Sequence, residues 1–457
     1  MIGQTIATMH LLIRLLIPAL LIVLAPAPGA AETDQFPLYP CIEANVAFWK
    51  KVYSQYHSSQ GLIHDSNNVG IVYEVVNLQG DDSLAGKQAN ERQITALKEE
   101  YKAILSCLAQ GQPPATAEGK RVAALFGPKA TAATYQTAAG AIRFQRGISD
   151  RFQAGVVRSG RYLAQIKKIL AQYGLPSDLA YLPHVESSFD YQAYSKVGAA
   201  GIWQLVPATG RRFLSINAAV DERRDPIVAT HAAAQFLKGN YRTLEDWPLA
   251  LMAYNHGPAS VLRAKNAYGS FDAIYQRYDD SHFGFASKNF YAEFLAAREV
   301  ATNYQRYFPG LAMDPPVPVR DVTITSATGI KALTAKFKVD AALLAEMNPA
   351  LSEAVLAGKT AVPKDYQLHL PQDAQAASVW SAPAPGSIQP KQKAAQTHVV
   401  KRGETIHAIA QRYGVSKGEL IAYNQLPKAG LIAVGQSLKI PARPLKKNAM
   451  YSGKQSS

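Results

Sequence analysis

The chain has 457 residues, of which 48% are hydrophobic, and carries a formal net charge of +14. This length exceeds one ordinary domain, and the apolar content is enough to build two to four packed cores. The charge is concentrated after residue 371, where 12 Lys or Arg residues stand against three acidic ones. No nucleic-acid-binding signature accompanies this basic segment, which argues against a nucleic-acid partner.

Residues 1–31 have the layout of a secretory signal peptide. Arg14 precedes an apolar run from Leu15 to Leu24, and small residues end at Gly29-Ala30-Ala31. The run is too short to span a bilayer comfortably, and an uncleaved N-terminal anchor is the alternative. We therefore expect an exported protein, periplasmic or associated with the cell envelope, with no transmembrane segment in the mature chain. The basic C-terminal segment suits an anionic envelope.

Residues 32–140 form a predicted α+β extension. Apolar spacing predicts helices over 45–56 and 91–108, and a β-branched stretch predicts a strand over 69–78. Cys41 and Cys107 are the two cysteines of the chain. Export permits a disulfide between them, and two buried thiols are the alternative. Two distant cysteines do not indicate a metal site.

Residues 141–310 have an almost wholly helical pattern. Helices are expected over 161–173 and 177–186, and an Asp225-Pro226 pair gives an N-cap followed by Pro at the first helical position. Trp247-Pro248 opens a further helix, closed at Gly257-Pro258. Short helices with short connections predict a compact α domain.

The C-terminal third contains an internal repeat of strand, helix, helix and strand. The first copy, at 320–371, is weak, and the second, at 397–442, is clear. Between them, residues 372–396 are rich in Ala, Ser, Pro and Gln, which predicts a flexible linker. Residues 443–457 form a basic tail.

Glu186 is the most informative candidate for chemistry. It ends an apolar helix directly before the Gly-rich segment at 198–204, and no second carboxylate of comparable quality stands nearby in the sequence. The helix C-terminus and partial burial both disfavour an ionised carboxylate, so we expect the pKa of Glu186 to be raised. A raised pKa suits a general acid. An ordinary exposed glutamate is the alternative.

Four separated blocks carry a family resemblance: Glu186-Ser187, the Gly-Ile-Trp-Gln block ending at Gln204, Ala-Tyr-Asn at 253–255, and Tyr291. Together they resemble family 1 lytic transglycosylases, in particular the membrane-bound D type that adds LysM modules. The resemblance implies a mainly α, lysozyme-like catalytic domain at 141–310. The chain departs from the family at His256, and it lacks a lipid-anchor Cys after the apolar run.

The resemblance also implies roles for individual residues. Glu186 matches the catalytic acid/base, and Tyr291 matches a tyrosine whose hydroxyl faces it. The implied substrate-binding residues are Ser195, Gln204, Tyr254 and Asn255. The implied reaction cleaves peptidoglycan without water and needs no metal and no cofactor. A lysozyme-like hydrolase and an inactive wall-binding scaffold are the alternatives.

Residues 398–441 resemble a LysM module, which implies binding to peptidoglycan through an N-acetylglucosamine-containing groove. The implied glycan-binding residues are Gly403, Glu404, Thr405, Leu431 and Ile432. Thr405 is also expected to cap the first helix of the module. The copy at 320–371 resembles a degenerate LysM module, because its loops lack the Gly-Glu-Thr run.

Overall fold

The computed structural model describes residues 34–80, 83–280, 283–316, 318–372, 396–401, 403–413, 420–421, 424, 426 and 432–440. The chain divides into two compact units, Met1–Ser381 and Ala382–Ser457. The predicted signal peptide and basic tail, and nearly all of the predicted linker, lie outside the described residues. No helix within the described ranges is both long and apolar enough to cross a membrane.

The N-terminal extension is a three-stranded antiparallel sheet with helices on it. Its elements are a 3-10 helix at Pro40–Ile42, α1 (Glu43–Ser54), β1 (Gln60–Asp65), β2 (Val72–Asn77), α2 (Leu84–Ala109), α3 (Ala117–Leu125), α4 (Ala132–Ala139) and β3 (Ile142–Arg146). The strand order is β2-β1-β3, with Leu62 opposite both Val75 and Gln145. Because β3 completes this sheet, the extension continues past the predicted boundary at residue 140.

The helical domain follows directly. Its α-helices are α5 (Ser149–Ser159), α6 (Leu163–Gln172), α7 (Leu182–Ser187), α8 (Pro207–Gly210), α9 (Pro226–Leu244), α10 (Trp247–His256), α11 (Pro258–Tyr268), α12 (Phe271–Arg277), α13 (Phe285–Thr302) and α14 (Tyr304–Tyr307), with 3-10 helices at Ser177–Tyr181 and Glu222–Arg224. The predicted helix over 177–186 is therefore two pieces, and Pro183 lies in the first turn of α7. The predicted cap is confirmed, because Asp225 Oδ1 accepts hydrogen bonds from the backbone of Ile227 and Val228, both 2.9 Å.

α1 shares its core with the helical domain rather than with the sheet that follows it. Its buried Phe48, Val52 and Tyr53 belong to the same apolar cluster as Phe294 and Leu295 of α13. The sheet has a separate core, which contains Ile63 and Tyr73. The N-terminal extension is thus anchored in the helical domain through its first helix.

The weak copy of the repeat packs on the helical domain. It consists of β4 (Val319–Thr323), α15 (Ile330–Phe337), α16 (Ala341–Met347), α17 (Glu353–Leu356) and β5 (Gln367–Pro371), and β4 pairs with β5 in antiparallel fashion. Its core includes Val220 of the helical domain. Two backbone hydrogen bonds join the parts, from Asp221 N to Ala350 O (2.8 Å) and from Ser352 N to Ala219 O (2.9 Å).

The second unit has a small βαβ framework in its described residues. β6 (Gln396–Val399) pairs antiparallel with β7 (Ser437–Ile440), and α18 (Ile406–Arg412) packs on them. Ile406, Ile409, Leu420 and Leu438 are buried in its core. The predicted fold class, a mainly helical protein with small sheets and a C-terminal LysM module, is confirmed.

The predicted disulfide between Cys41 and Cys107 is wrong for this structure, since both thiols are free. Cys41 is half-buried against the core of the helical domain, where its thiol bonds to the Asp272 carboxylate. Cys107 is exposed on α2, and the last turn of that helix packs its other face on the separate core of the sheet. The two cysteines therefore belong to different packing units.

Candidate active site around Glu186

Glu186 lies in the last turn of α7, and the chain leaves this helix through two strained residues. Ser188 and Phe189 have φ angles of 51° and 57°, in the left-handed region that non-glycine residues rarely occupy. Arg158 Nη2 holds the turn by donating to Ser188 O at 2.6 Å. α5 also passes so close that a Cβ on Gly155 would lie 2.7 Å from Ser188 O. Strain of this kind persists only where its surroundings fix it.

The environment of Glu186 keeps its proton on at neutral pH. Burial, followed by the charge of Glu293, raises the pKa of Glu186 to about 8. The residue as a whole nevertheless remains partly exposed. The expected raised pKa is thus present, and a carboxyl that is neutral at pH 7 can donate a proton.

The Gly-rich segment is tied to the end of α7. Ser187 Oγ donates to Ile202 O at 3.0 Å. Gly201 has a φ of 76°, and a Cβ there would lie 1.8 Å from Arg223 O, so only glycine fits. Trp203 is fully buried, and its indole N–H donates to Thr230 Oγ1 at 2.8 Å. These contacts fix the wall of the candidate site next to Glu186.

The side chains of Ser195 and Gln204 make hydrogen bonds to the backbone of this segment. Ser195 Oγ accepts from the backbone N–H of Ala199 at 2.9 Å. Gln204 Nε2 donates to Gly201 O at 2.9 Å, and its own backbone is left-handed, with a φ of 46°. Both side chains therefore shape the turn, and their predicted contacts with sugar stay predictions.

Tyr254 and Asn255 lie at the end of α10, on the other side of the Gly-rich segment. The Tyr254 hydroxyl donates to Trp203 O at 2.7 Å, and the charge of Glu186 adds to burial in raising the pKa of Tyr254. Asn255 Oδ1 accepts from Ser287 Oγ of α13 at 3.1 Å. The structure thus places Tyr254 beside Glu186, whereas Asn255 links α10 to α13.

Tyr291 does not face Glu186, and this part of the prediction is wrong. Its ring is fully buried, and its hydroxyl donates to Pro37 O at 2.9 Å, in the segment that precedes α1. Glu293, two residues later, does act on Glu186. Positions two apart on a helix point about 200° away from each other, so residues 291 and 293 occupy opposite faces of α13.

Glu293 is the functional candidate that the sequence analysis missed. Burial raises its pKa to about 8, while the charge of Arg143 and a hydrogen bond with Tyr53 oppose that rise. The expectation of a lone carboxylate is therefore wrong. A signal was available, because Glu293 is the single charged residue of the apolar run over 289–297.

Two of the predicted glycan-binding residues of the LysM domain, Glu404 and Thr405, make hydrogen bonds within the domain itself. Glu404 accepts from Lys401 N (2.9 Å), His398 Nε2 (2.6 Å) and Arg412 (2.6 Å), and these bonds lower its pKa to about 2, the backbone N–H of Lys401 contributing most. Thr405 caps α18 by accepting from Ala408 N at 3.2 Å, which confirms that prediction.

Gly403 forms an exposed turn with a φ of 84°, and Ile432 packs partly buried on the LysM core. Leu431 lies outside the described residues. Across the described ranges, no group of three or more His, Cys, Asp or Glu side chains is placed to hold a metal ion.

Two segments of the chain match known domain families. Residues 164–276, which include Glu186 and the Gly-rich segment, match the family described as "Transglycosylase SLT domain". Residues 398–441 match the LysM domain. The chain thus contains an SLT domain followed by a LysM domain.

Two named proteins are similar in sequence to parts of this chain. Membrane-bound lytic murein transglycosylase D of Escherichia coli (strain K12) is 26% identical over 296 residues, 63% of this chain and 64% of that protein. The chain therefore covers less than two thirds of the length of this relative. Membrane-bound lytic murein transglycosylase C of Haemophilus ducreyi is 26% identical over 172 residues, 32% of this chain and 47% of that protein.

A solved structure of lytic transglycosylase Slt from Pseudomonas aeruginosa is 22% identical, and the match covers 32% of this chain and 24% of that one. Its TM-score is 0.27, a likeness too partial to support a statement about the fold.

Proposed function

We propose that this protein is a peptidoglycan lytic transglycosylase that binds the cell wall through its LysM domain. The observation that carries the proposal is the carboxyl of Glu186 at the end of α7, inside the SLT domain, where burial raises its pKa to about 8. The relatives named as lytic murein transglycosylases support the same substrate. The protein then acts in the periplasm or at the cell envelope, as the signal-like N-terminus suggests.

Glu186 first acts as the general acid. Its carboxyl donates the proton to the glycosidic oxygen between N-acetylmuramic acid and N-acetylglucosamine, and the bond from C1 to that oxygen breaks. The acetamide of the substrate stabilises the positive charge that develops at C1, as in substrate-assisted glycosidases.

Glu186 then acts as the general base. Its carboxylate takes the proton of the 6-hydroxyl, and O6 closes onto C1 to form a 1,6-anhydro ring. The carboxyl is regenerated and no water is consumed. Ser195, Gln204 and Tyr254 form the proposed sugar-binding wall, since they belong to or contact the segment next to Glu186. Asn255, which follows Tyr254 at the end of α10, is the fourth proposed sugar-binding residue.

Glu293 favours a second candidate function, a lysozyme-like hydrolase. Many glycosidases pair an acid with a second carboxylate that activates water or stabilises charge. Here the charge of Glu293 contributes to the raised pKa of Glu186, which supports such a pair. The two functions differ in their products, and an inactive scaffold would give none.

Mass spectrometry of digested sacculi tests the proposal. A lytic transglycosylase releases muropeptides about 18 Da lighter than those of a hydrolase, because ring closure replaces water. Glu186→Gln keeps the shape of the side chain but cannot cycle a proton, so it should release no product. The matched control is Asp190→Asn, which removes the neighbouring carboxylate and should leave anhydro products. Wild-type products that carry the full mass of water would establish the hydrolase instead.

A further inference from the structure

Arg223 is a buried arginine that contacts both ends of the Gly-rich segment at 198–204. It lies in the 3-10 helix at Glu222–Arg224 and is 2% exposed. Its Nη1 donates to Gly198 O at 2.6 Å and to Leu205 O at 3.0 Å. The first carbonyl begins the segment and the second directly follows it, so one guanidinium nitrogen connects the two ends.

This contact holds backbone that is strained. Gln204, which directly precedes Leu205, has a φ of 46°, in the left-handed region that non-glycine residues rarely occupy. Such a conformation persists only where the surroundings fix it. The hydrogen bond from Arg223 to Leu205 O is one of these surroundings, and it therefore helps to place Gln204, a residue of the proposed sugar-binding wall.

Asp221 sets the orientation of the guanidinium. Arg223 Nε donates to Asp221 Oδ1 at 2.9 Å, and Arg223 Nη2 donates to Asp221 Oδ2 at 2.7 Å, so the contact is bidentate. The stem of the arginine needs the glycine at position 210, because a Cβ on Gly210 would lie 2.8 Å from Arg223 Cδ. A lysine cannot reproduce this planar, two-nitrogen contact.

The backbone of Asp221 is held in turn by the degenerate LysM-like module. Its N–H donates to Ala350 O at 2.8 Å. Val220, the preceding residue, is 2% exposed and forms an isolated antiparallel bridge with Leu351, and both belong to the core of the module. Contacts therefore run without a break from the module through Asp221 and Arg223 to the Gly-rich segment.

We propose that Arg223 is a positioning residue of the sugar-binding wall, and that the degenerate LysM-like module keeps it in place by holding Val220 and Asp221. The module then supports the active site through the helical domain. This inference rests on the proposed function for the role of the wall as a sugar-binding surface, but the order of the Gly-rich segment can be measured without it.

Hydrogen exchange of the full-length protein tests the contact with the segment. Arg223→Lys keeps the positive charge and loses the planar fork, so it cannot hold Asp221 and both carbonyls together. Peptides that cover 193–205 should exchange faster than in the wild type, by roughly tenfold for the loss of one charge-assisted hydrogen bond. Peptides from α13 report on the stability of the surrounding core and should keep their protection.

A second pair of variants tests the module. Val220→Asp places a charge inside the apolar core of the module, which should release Val220 from it and speed exchange over 193–205. The matched control is Val319→Asp, the same substitution on β4 of the module, where the side chain is 38% exposed. This control should exchange like the wild type over 193–205.

Kinetics on short soluble glycan strands separate positioning from simple loss of stability. A wall that binds sugar equally in the ground state and the transition state affects KM and leaves kcat nearly unchanged. Arg223→Lys should therefore raise KM by roughly tenfold, for the same lost hydrogen bond. A merely structural role would lower the folded fraction, and with it kcat, at an unchanged KM.

The outcomes decide the role of Arg223 independently of the products. Wild-type exchange over 193–205 in folded Arg223→Lys protein, or a lower kcat at unchanged KM, would overturn that role. Water-containing products from the wild type would overturn the proposed function and leave the exchange results standing. If Arg223→Lys does not fold, Asp221→Asn decides the question, because the amide keeps the size of the side chain and removes only its charge.

The role of the module has its own deciding outcome. Wild-type exchange over 193–205 in folded Val220→Asp protein would show that the module does not hold Arg223 in place. If Val220→Asp does not fold, Leu351→Ala replaces it, because that variant shortens the partner of Val220 from the side of the module. Faster exchange over 193–205 would then support the role of the module, and unchanged exchange would overturn it.

Discussion

Asp225 and His369 join the helical domain to the degenerate LysM-like module through one carboxylate. Asp225 Oδ1 caps α9, while Asp225 Oδ2 lies 2.7 Å from His369 Nε2. The other ring nitrogen of His369 lies 2.6 Å from Asp321 Oδ1. With both ring nitrogens on carboxylates, His369 is an imidazolium that bridges the two parts. The module is therefore docked on the catalytic unit through its β5 strand.

This bridge predicts a stability that depends on pH. Burial lowers the pKa of His369, but the hydrogen bonds and charges of Asp225 and Asp321 outweigh it and raise the pKa to about 9. A raised pKa stabilises the fold fully below the unfolded value of about 6.5, and the contribution disappears as pH rises through about 9. Its size is about 3 kcal/mol as an upper bound.

His369→Gln should therefore lower the midpoint of thermal unfolding strongly at pH 6 and weakly at pH 10. Calorimetry of the full chain at the two pH values measures this difference. His407→Gln, on the exposed side of α18 in the other unit, is the control and should change neither value. An equal loss at both pH values would mean that His369 acts through packing rather than through its charge.

Tyr291 should matter for stability and not for turnover. Tyr291→Phe removes the hydrogen bond to Pro37 O and leaves that carbonyl without this donor, which should cost about 1 kcal/mol. Denaturant unfolding gives the stability, and muropeptide release gives the rate. A large loss of kcat with unchanged stability would show that the hydroxyl serves the reaction, as the family resemblance implied.

Glu186→Gln should also change the pH dependence of stability. A carboxyl whose folded pKa is raised to about 8 destabilises the fold progressively as pH rises from about 4.3, its unfolded value, to 8. The glutamine has no proton to lose, so the variant should unfold near the wild-type temperature at pH 5 and above it at pH 9. If the variant unfolds below the wild-type temperature at pH 9, the ionised carboxylate of Glu186 does not destabilise the fold.

The cysteines should behave as two unlike thiols. Burial, with the hydrogen bond and charge of Asp272, raises the pKa of Cys41 to about 12, whereas Cys107 is exposed. Alkylation of native, non-reduced protein at pH 8 should therefore modify Cys107 quickly and Cys41 slowly, because only the thiolate reacts. Intact mass counts the labels. A protein that takes up no label before reduction and two after it would restore the disulfide.

The features that the sequence predicted correctly are local ones. The cap at Asp225 and the cap at Thr405 follow from residue types that compete for the first N–H groups of a helix. The raised pKa of Glu186 was also predictable from local sequence, because the helix end and the apolar neighbours of Glu186 lie within a few residues of it.

The errors concern contacts between distant parts of the chain. β3 belongs to the first sheet because it pairs with β1, about 80 residues earlier, and spacing within one segment does not reveal such a partner. The face of α13 that carries Glu293 depends likewise on how α1 and α7 pack on it. The resemblance aligned Tyr291 with a tyrosine of the family, but the N-terminal segment at Pro37 occupies that face here.

The LysM domain should hold the enzyme on polymeric wall without taking part in catalysis. The basic composition after residue 371 and the linker-like sequence at 372–396 indicate a tether, which raises the local concentration of the catalytic domain near its substrate. Truncation after Pro371 should weaken binding to whole sacculi strongly and leave turnover of short soluble glycan strands nearly unchanged. The electrostatic part of the binding should fall with salt, since charges are screened beyond about 10 Å at 0.1 M.

Co-sedimentation with sacculi at low and high salt measures the tether. The matched control is the full chain with Lys446 and Lys447 changed to Gln, which removes charge and keeps the LysM domain. This control should lose affinity at low salt only, whereas the truncated protein should lose it at both. If the truncated protein sediments as well as the full chain under both conditions, the tether does not exist and the catalytic unit binds the wall by itself.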